Sequence, residues 1–167
     1  MATDSQKRAL ITGSFDPPTV GHLELIRVGA KVFEELVVCI FRNSEKKYMF
    51  SENVRKQMLE ELIAEAGLTN VTVDVSDGFV ADYTREKGIG YVLRGARGES
   101  DLAYEGEMAK YNHDRNPEME TLVWMAFRDD VHVSSTLVRK SLQCGDFSTP
   151  FITESVRKIA KSVLIVG

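Results

Sequence analysis

Cysteine is scarce in this sequence and long apolar runs are absent, and each shortage excludes a class of protein. The two cysteines, Cys39 and Cys144, have neither a metal-ligand nor a redox spacing, and Cys39 lies in an apolar run that predicts its burial. No apolar run approaches the roughly 18 residues that a membrane helix requires. The first seven residues lack the apolar core of a signal peptide. We therefore expect a protein of the reducing cytoplasm with no membrane partner.

Positive charge is not in excess either. The chain has 21 Lys and Arg residues against 25 Asp and Glu residues, which gives a net charge of −4. General nucleic-acid binding requires a basic surface, so we expect no nucleic-acid partner. An anionic substrate would have to be met by a local cluster of cations.

Composition and length are those of an ordinary globular protein. Hydrophobic residues make up 43% of the chain and charged residues 28%, as in average soluble domains. A chain of 167 residues is long enough to bury a substantial core. We predict a single domain over residues 1–167.

Short apolar runs alternate with amphipathic segments along the whole chain. Five runs predict strands, at 9–11, 36–41, 71–75, 91–93 and 121–125. The segments between and after them predict helices, the last at about 153–163. This order is typical of an α/β fold with a doubly wound, five-stranded parallel sheet and helices on both faces. Ligands of such sheets bind beyond the carboxyl ends of the strands.

The segment GSFDPPTVGH, from Gly13 to His22, joins the first strand to the first helix. Gly13 would let the chain approach a ligand closely, and Gly21 would relax the entry into the helix. Backbone N–H groups and the positive end of the helix then favour a bound anion such as phosphate. His22 lies in the first helical turn, where the dipole disfavours its charged form. A neutral imidazole still donates one hydrogen bond to a phosphoryl oxygen.

Cations follow two other strands: Lys46 and Lys47 after the second, Arg94 and Arg97 after the fourth. A lysine pair by itself is usually a solvated surface feature. The arginines are the stronger phosphate candidates, although Asp101 and Glu105 are near enough to form an internal ion-pair network instead. The polar run 134–136 predicts a helix cap, and the same N–H groups would also suit a phosphate.

These motifs resemble those of a known superfamily. Gly-Ser-Phe-Asp-Pro at 13–17 followed by Thr19-x-Gly21-His22 resembles the signature of the nucleotidylyltransferases, and implies their Rossmann-like fold. Three further blocks resemble the phosphopantetheine adenylyltransferase family: SEKKYMF at 44–50, DGFVADY at 77–83 and RGARGESDLAYE at 94–105. The resemblance extends from Lys7 to about Gly145.

The resemblance implies an activity. The family transfers the adenylyl group of ATP to 4′-phosphopantetheine and forms dephospho-coenzyme A and pyrophosphate. It implies Mg²⁺, which we expect ATP to carry because the sequence identifies no dedicated protein site, and coenzyme A as a further possible ligand. It also implies a cytoplasmic homo-oligomer, the family's usual form being a hexamer.

The resemblance implies the site residues as well. The acceptor would contact Ser14, Lys46, Val80 and Arg94. ATP would contact Ser14, Phe15, His22, Gly95, Ala96, Arg97, Glu105, Asp130, Val131, His132, Val133, Ser134, Ser135 and Thr136. His22, Lys46 and Arg94 would be the catalytic hydrogen-bond donors. Such a transfer needs alignment and charge neutralisation rather than a protein nucleophile.

The sequence departs from the family pattern at several of these positions. Ser14 replaces the commoner Thr, Tyr48 replaces Pro, and Ala96 replaces Leu. Asp130-Val131-His132 stands where the family usually has an aromatic residue and a Ser. A carboxylate in that loop would repel the triphosphate unless it faced solvent or helped to hold the metal.

Two alternatives remain open at this stage. Ser134-Ser135-Thr136 with Arg139 fits a nicotinate-mononucleotide adenylyltransferase equally well, but that branch lacks the 94–105 block. The second alternative is a nucleotide-binding regulator that has kept the fold and lost turnover, and the departure at Asp130 is its support.

Overall fold

The computed structural model describes residues 7–126 and 133–165. Its strands form one five-stranded parallel sheet in the order β3-β2-β1-β4-β5. The strands are β1 (Arg8–Gly13), β2 (Glu35–Phe41), β3 (Val71–Ser76), β4 (Tyr91–Ala96) and β5 (Glu120–Met125). The predicted fold class and all five predicted strands are confirmed.

Six helices cover this sheet in the described part of the chain. They are α1 (Val20–Val32), α2 (Glu52–Glu65), α3 (Val80–Lys87), α4 (Glu99–Arg115), α5 (Ser135–Gln143) and α6 (Glu154–Ile165). The last helix corresponds to the one predicted at about 153–163. Among these helices, none is both long enough and apolar enough to cross a bilayer.

The sheet is buried on both faces because each central strand sends alternate apolar side chains to opposite sides. Ile11 and Val38 pack in the larger core, which also receives apolar side chains of α1, α2, α5 and α6. Leu10 and Cys39 pack in the smaller core on the opposite face, which includes Tyr83 of α3. Cys39 is fully buried, as its apolar strand predicts.

Local capping chemistry fixes several helix ends. The side chains of Thr19, Ser51 and Ser134 accept backbone N–H groups at the starts of α1, α2 and α5. Gly88 ends α3 in the left-handed conformation, with φ of 63°. The cap at Ser134 confirms the prediction made from the polar run 134–136.

The fourth strand is longer than the sequence indicates. Arg94, Gly95 and Ala96 were expected in a loop, but they pair with Val123, Trp124 and Met125 of β5. A partner strand in register keeps the chain extended despite the glycine, because ladder hydrogen bonds outweigh its weak strand propensity. The following helix, α4, ends at Arg115.

The strand order places the functional region. Connections run outward from β1 to β2 and β3 on one side and to β4 and β5 on the other. The order therefore reverses between β1 and β4, and a crevice opens there at the carboxyl ends of the strands.

Candidate active site

Two cavities lie at this end of the sheet, one on each side of the turn that follows β1. The β1/β4 cavity, of about 400 Å³, is bounded by the ends of β1, β4 and β5 and by the first turns of α1 and α5. The β2/β3 cavity, of about 600 Å³, is bounded by Arg42 after β2, Asp77 after β3, and the loop that carries Lys46. Both are of the size of small-molecule sites.

The turn between them is shaped by Phe15. Its backbone has φ of 49°, a left-handed conformation that is uncommon outside glycine, and its side chain is buried. A Cβ atom on Gly13 would approach the Phe15 ring to 2.9 Å. A glycine at position 13 therefore fits this intramolecular packing, and Gly13 also lines the β1/β4 cavity, so the predicted close approach to a ligand stays a prediction.

His22 closes the turn and faces the β1/β4 cavity. Its Nδ1 lies 3.0 Å from the backbone N–H of Thr19, and its own N–H approaches the Thr19 hydroxyl at 3.4 Å. The two residues thus form a capping box in which histidine takes the place usually held by Glu or Gln. A backbone N–H can only donate, so Nδ1 accepts and the proton of a neutral ring resides on Nε2.

The electrostatic surroundings keep that ring neutral. Burial, followed by the positive charges of Arg97 and Arg94, lowers the pKa of His22 from 6.5 to about 4. The Phe15 ring packs edge-on against the imidazole, with centroids 4.9 Å apart. The position of His22 at the helix start predicts a neutral ring, and the structure agrees. Burial and the neighbouring arginines are the causes of the lowered pKa.

Arg94 is held by an ion pair, the alternative that the sequence left open. Its Nε and Nη2 donate to the two carboxylate oxygens of Glu105 at 2.8 and 2.9 Å. Its Nη1 donates to the carbonyl and hydroxyl oxygens of Thr12 at 2.8 and 2.6 Å. These bonds use four of the five N–H groups of a guanidinium. Arg94 is therefore oriented by its neighbours, with one N–H of Nη2 outside these contacts.

Arg97 lies at the rim of the same cavity. Its Nη1 donates to the carbonyl of Val133 at 2.8 Å, and its side chain lies near Asp101, with Nε and carboxylate oxygen 3.5 Å apart. The side chain remains 46% exposed. Arg97 thus joins the start of α4 to the segment that precedes α5.

Lys46 approaches the same turn from the second cavity. Its Nζ donates to the Ser14 hydroxyl at 3.0 Å. The Arg55 guanidinium lies on the Tyr48 ring, 4.0 Å from its centroid, and donates to the Ser14 carbonyl at 2.7 Å. Ser14 is therefore the point at which cations from the β2/β3 side meet the turn that carries His22.

The helix N-termini are only partly available to an anion. The Val20 N–H donates to the carbonyl of Phe151 at 2.8 Å, and the His22 N–H is capped as described. At α5, the Ser134 hydroxyl accepts the N–H of Leu137 at 3.2 Å. Both helix starts line the β1/β4 cavity, so their remaining first-turn N–H groups and their positive dipole ends act on one space.

The structure brings most of the predicted site residues together. The β1/β4 cavity is lined by His22, Arg94, Gly95, Ala96, Arg97, Glu105, Val133, Ser134 and Ser135. Lys46 lines the β2/β3 cavity and contacts Ser14 between the two.

Three predicted residues stand apart. The Phe15 ring is buried behind His22. Thr136 is on the exposed side of α5, where its hydroxyl accepts from Arg139 at 3.0 Å. Val80 begins α3 and is not among the described residues that line either cavity. The predicted contacts Asp130, Val131 and His132 lie outside the described residues.

Several residues of the site were not singled out from the sequence. Asp16 is buried in the turn, Arg55 reaches it from α2, and Thr12 holds Arg94. Trp124 of β5 lines the β1/β4 cavity beside Gly95. The Asp in the Phe-Asp-Pro segment and the sole tryptophan of the chain were visible signals, whereas the roles of Arg55 and Thr12 depend on contacts distant in sequence.

Comparisons with known proteins point to one family. Residues 10–141 match the cytidylyltransferase-like family model. A phosphopantetheine adenylyltransferase of Shouchella clausii is 34% identical over 157 residues, which cover 94% of this chain and 98% of the relative. One from Anaeromyxobacter sp. (strain K) is 40% identical over 139 residues, 83% of this chain and 84% of the relative. With such matches over nearly its whole length, the chain belongs to the phosphopantetheine adenylyltransferase family, within the cytidylyltransferase-like nucleotidyltransferases.

Proposed function

We propose that the protein transfers the adenylyl group of ATP to 4′-phosphopantetheine and releases dephospho-coenzyme A and pyrophosphate. ATP occupies the β1/β4 cavity, and the acceptor enters from the β2/β3 side with its phosphate at Ser14. The observation that carries this proposal is the contact of Lys46 Nζ with Ser14 Oγ at 3.0 Å. It brings a cation from one cavity to the turn whose other side presents His22 to the second cavity.

The reaction is a direct in-line displacement. An oxygen of the acceptor phosphate forms a bond with the α-phosphorus of ATP while the bond from that phosphorus to the β-bridging oxygen breaks. The electron pair of that bond leaves with pyrophosphate. The attacking phosphate is already anionic, so the protein supplies no nucleophile. Alignment of two bound reactants contributes about 7–11 kcal/mol to such a reaction.

His22 is assigned to the α-phosphoryl oxygen. Its Nδ1 is engaged by the Thr19 N–H, so Nε2–H is the group that faces the cavity as a donor. A donor that is fixed before the reaction begins stabilises developing charge without reorganising. Lys46 neutralises the attacking phosphate, and Arg94 contributes positive charge from a side chain already held by Glu105.

Mg²⁺ enters this scheme as part of the MgATP substrate, bound to phosphate oxygens and water as is usual for this ion. Three of the described carboxylates line the β1/β4 cavity, Glu24, Asp101 and Glu105, and of these Asp101 and Glu105 are engaged by Arg97 and Arg94. In residues 7–126 and 133–165, no group of three or more His, Cys, Asp or Glu side chains has a metal-binding arrangement. No described residue is therefore assigned to the metal, and no step is drawn through it.

A cytoplasmic homohexamer is the assembly and location that the family resemblance supports. Apolar side chains exposed on α4 are suited to a subunit contact: Leu102, Tyr104, Met108 and Tyr111. Light scattering on the purified protein measures the mass of the assembly directly. A monomer at micromolar concentration would contradict this part of the proposal.

The activity is tested by pyrophosphate release from ATP with 4′-phosphopantetheine and, separately, with nicotinate mononucleotide. Release with the first acceptor alone is expected, because the named relatives are phosphopantetheine enzymes. Release with the second alone would establish the nicotinate alternative. ATP binding is followed independently by fluorescence, since the single tryptophan lines the β1/β4 cavity. Binding without release in either mixture would establish the regulator alternative.

A further inference from the structure

Among the residues that the structure describes near the two cavities, Asp16 is the most enclosed carboxylate. Its residue is 2% exposed, and its two carboxylate oxygens accept the backbone N–H groups of Phe50 at 2.9 Å and Met49 at 2.8 Å. A buried carboxylate persists only when its oxygens are satisfied. Here both partners come from the loop after β2, about thirty residues away.

The turn that carries Asp16 is itself anchored to α5. Arg139 donates to the main-chain carbonyl of Asp16 at 2.7 Å, and its guanidinium lies 4.0 Å from the Asp16 carboxylate. Ser135 donates to the carbonyl of Pro17 at 2.8 Å. The Asp16 carboxylate is therefore fixed in place, and its hydrogen bonds hold the loop after β2.

Lys46 depends on that loop for its position. It is exposed and lies outside the strands and helices, three residues before Met49. Its Nζ nevertheless meets the hydroxyl of Ser14, two residues before Asp16. Ser14 lies in the same turn as Asp16, and Lys46 lies in the loop that the Asp16 carboxylate binds. The carboxylate therefore sets the distance between the loop and the turn.

We propose that Asp16 is a positioning residue that holds Lys46 at the acceptor phosphate through the backbone N–H groups of Met49 and Phe50. This inference deepens the proposed function and depends on it. A carboxylate is needed because it offers an acceptor to each N–H. The amide of asparagine has the same size but only one acceptor oxygen. Its N–H₂ group would face the second backbone N–H, and two donors cannot bond to each other.

The test is a double-mutant cycle with Asp16→Asn and Lys46→Ala. Asp16→Asn is expected to lower kcat/KM for the acceptor by about 10²-fold, the scale of a small misplacement of a reacting group. The KM for ATP should change by less than about threefold. In the Lys46→Ala background the same substitution should cost only about threefold or less, because a residue that acts through Lys46 has nothing left to position. Multiplicative effects would overturn the proposal.

A matched control removes the same charge elsewhere. Asp74 accepts the N–H of Val75 at 2.8 Å and the Tyr83 hydroxyl at 2.6 Å, and it lines neither cavity. Asp74→Asn should lower the melting temperature while leaving the kinetics unchanged. An equal loss of kcat/KM in Asp74→Asn would mean that Asp16→Asn reports stability alone.

A second variant and a hydrogen-exchange measurement test the role of Asp16 independently of the enzymatic activity. If Asp16→Asn does not yield folded protein, Arg139→Gln replaces it in the cycle, because it releases the Asp16 carbonyl without changing the carboxylate. Hydrogen exchange at the Met49 and Phe50 amides should quicken in Asp16→Asn whether or not the wild type releases pyrophosphate. Unchanged exchange would refute the positioning role, whereas wild-type inactivity with quickened exchange would refute only the proposed reaction.

Discussion

The two cavities differ in how their predicted hydrogen-bond donors to phosphate are held. In the β1/β4 cavity, Arg94 is bound by Glu105 and Thr12, and His22 is bound by the backbone at Thr19. In the β2/β3 cavity, Lys46 is a flexible side chain on an exposed loop with one described hydrogen bond, to Ser14. His22 and Arg94 are therefore fixed before a ligand arrives, whereas Lys46 relies on a loop that Asp16 holds through the N–H groups of Met49 and Phe50. A site that must stabilise a transition state benefits from the first arrangement, and one that must admit an acceptor benefits from the second.

The largest effect on the rate is expected when the β1/β4 cavity loses its His22 donor. His22→Ala should lower kcat by about 10²–10³-fold, the usual cost of removing one preorganised donor. ATP affinity should change little, because His22 acts mainly on the transition state. Steady-state kinetics and tryptophan fluorescence titration measure the two quantities. A variant with near-normal kcat would remove His22 from the mechanism.

The second cavity should respond differently. Lys46→Ala should lower kcat/KM for the acceptor by about 10²-fold, at least as much as Asp16→Asn, and raise the acceptor KM, because the lysine meets the acceptor in both ground and transition states. Lys47→Ala is the matched control, since the adjacent lysine is equally exposed and is assigned no contact with substrate. Equal losses in the two variants would show that general charge, rather than the Ser14 contact, attracts the acceptor.

The rigidity of the first cavity is tested through the partner of Arg94. The Glu105 side chain is 8% exposed, and Glu105→Gln leaves the arginine without a counter-charge. We expect the free energy of unfolding to fall by about 2 kcal/mol, less than for a fully buried pair because Arg94 is partly solvated. Asp114→Asn, which breaks an exposed pair with Lys110, should cost about 0.5 kcal/mol or less. Urea denaturation compares the two, and similar losses would contradict the distinction.

The fold was predictable because its signals are local. The apolar run 36–41 is typical of a strand buried on both faces, and Ser51 and Gly88 cap helix ends by their own chemistry. The convergence of His22, Lys46 and Arg94 also follows, because loops after parallel strands share one edge of the sheet.

What the sequence did not reveal depends on contacts between distant segments. Arg94-Gly95 has the composition of a loop, and only the register with β5 shows that it is strand. The close packing of Gly13 against the Phe15 ring and the left-handed backbone of Phe15 are not indicated by any pattern of side chains. The role of Asp16 likewise depends on two amides about thirty residues further along the chain.

The last expected effect concerns the free-energy cost of keeping the His22 donor neutral in the folded chain. Its pKa is about 4 in the folded chain and about 6.5 when unfolded. Above pH 6.5 both states are neutral and the group leaves stability unchanged. Between pH 6.5 and 4 the unfolded imidazole takes up a proton that the folded one refuses, so stability falls as the pH falls.

At pH 5 this difference amounts to about 2 kcal/mol relative to pH 7, which urea denaturation at the two values resolves. His22→Gln is the matched control, because glutamine preserves the capping box with Thr19 and does not titrate. The variant should lose less stability than the wild type over this interval. Parallel losses in the two proteins would show that His22 titrates normally in the fold. Burial, Arg97 and Arg94 would then not be what keeps His22 neutral. The contrast between the fixed His22 donor and the adjustable Lys46 would no longer have an electrostatic cause.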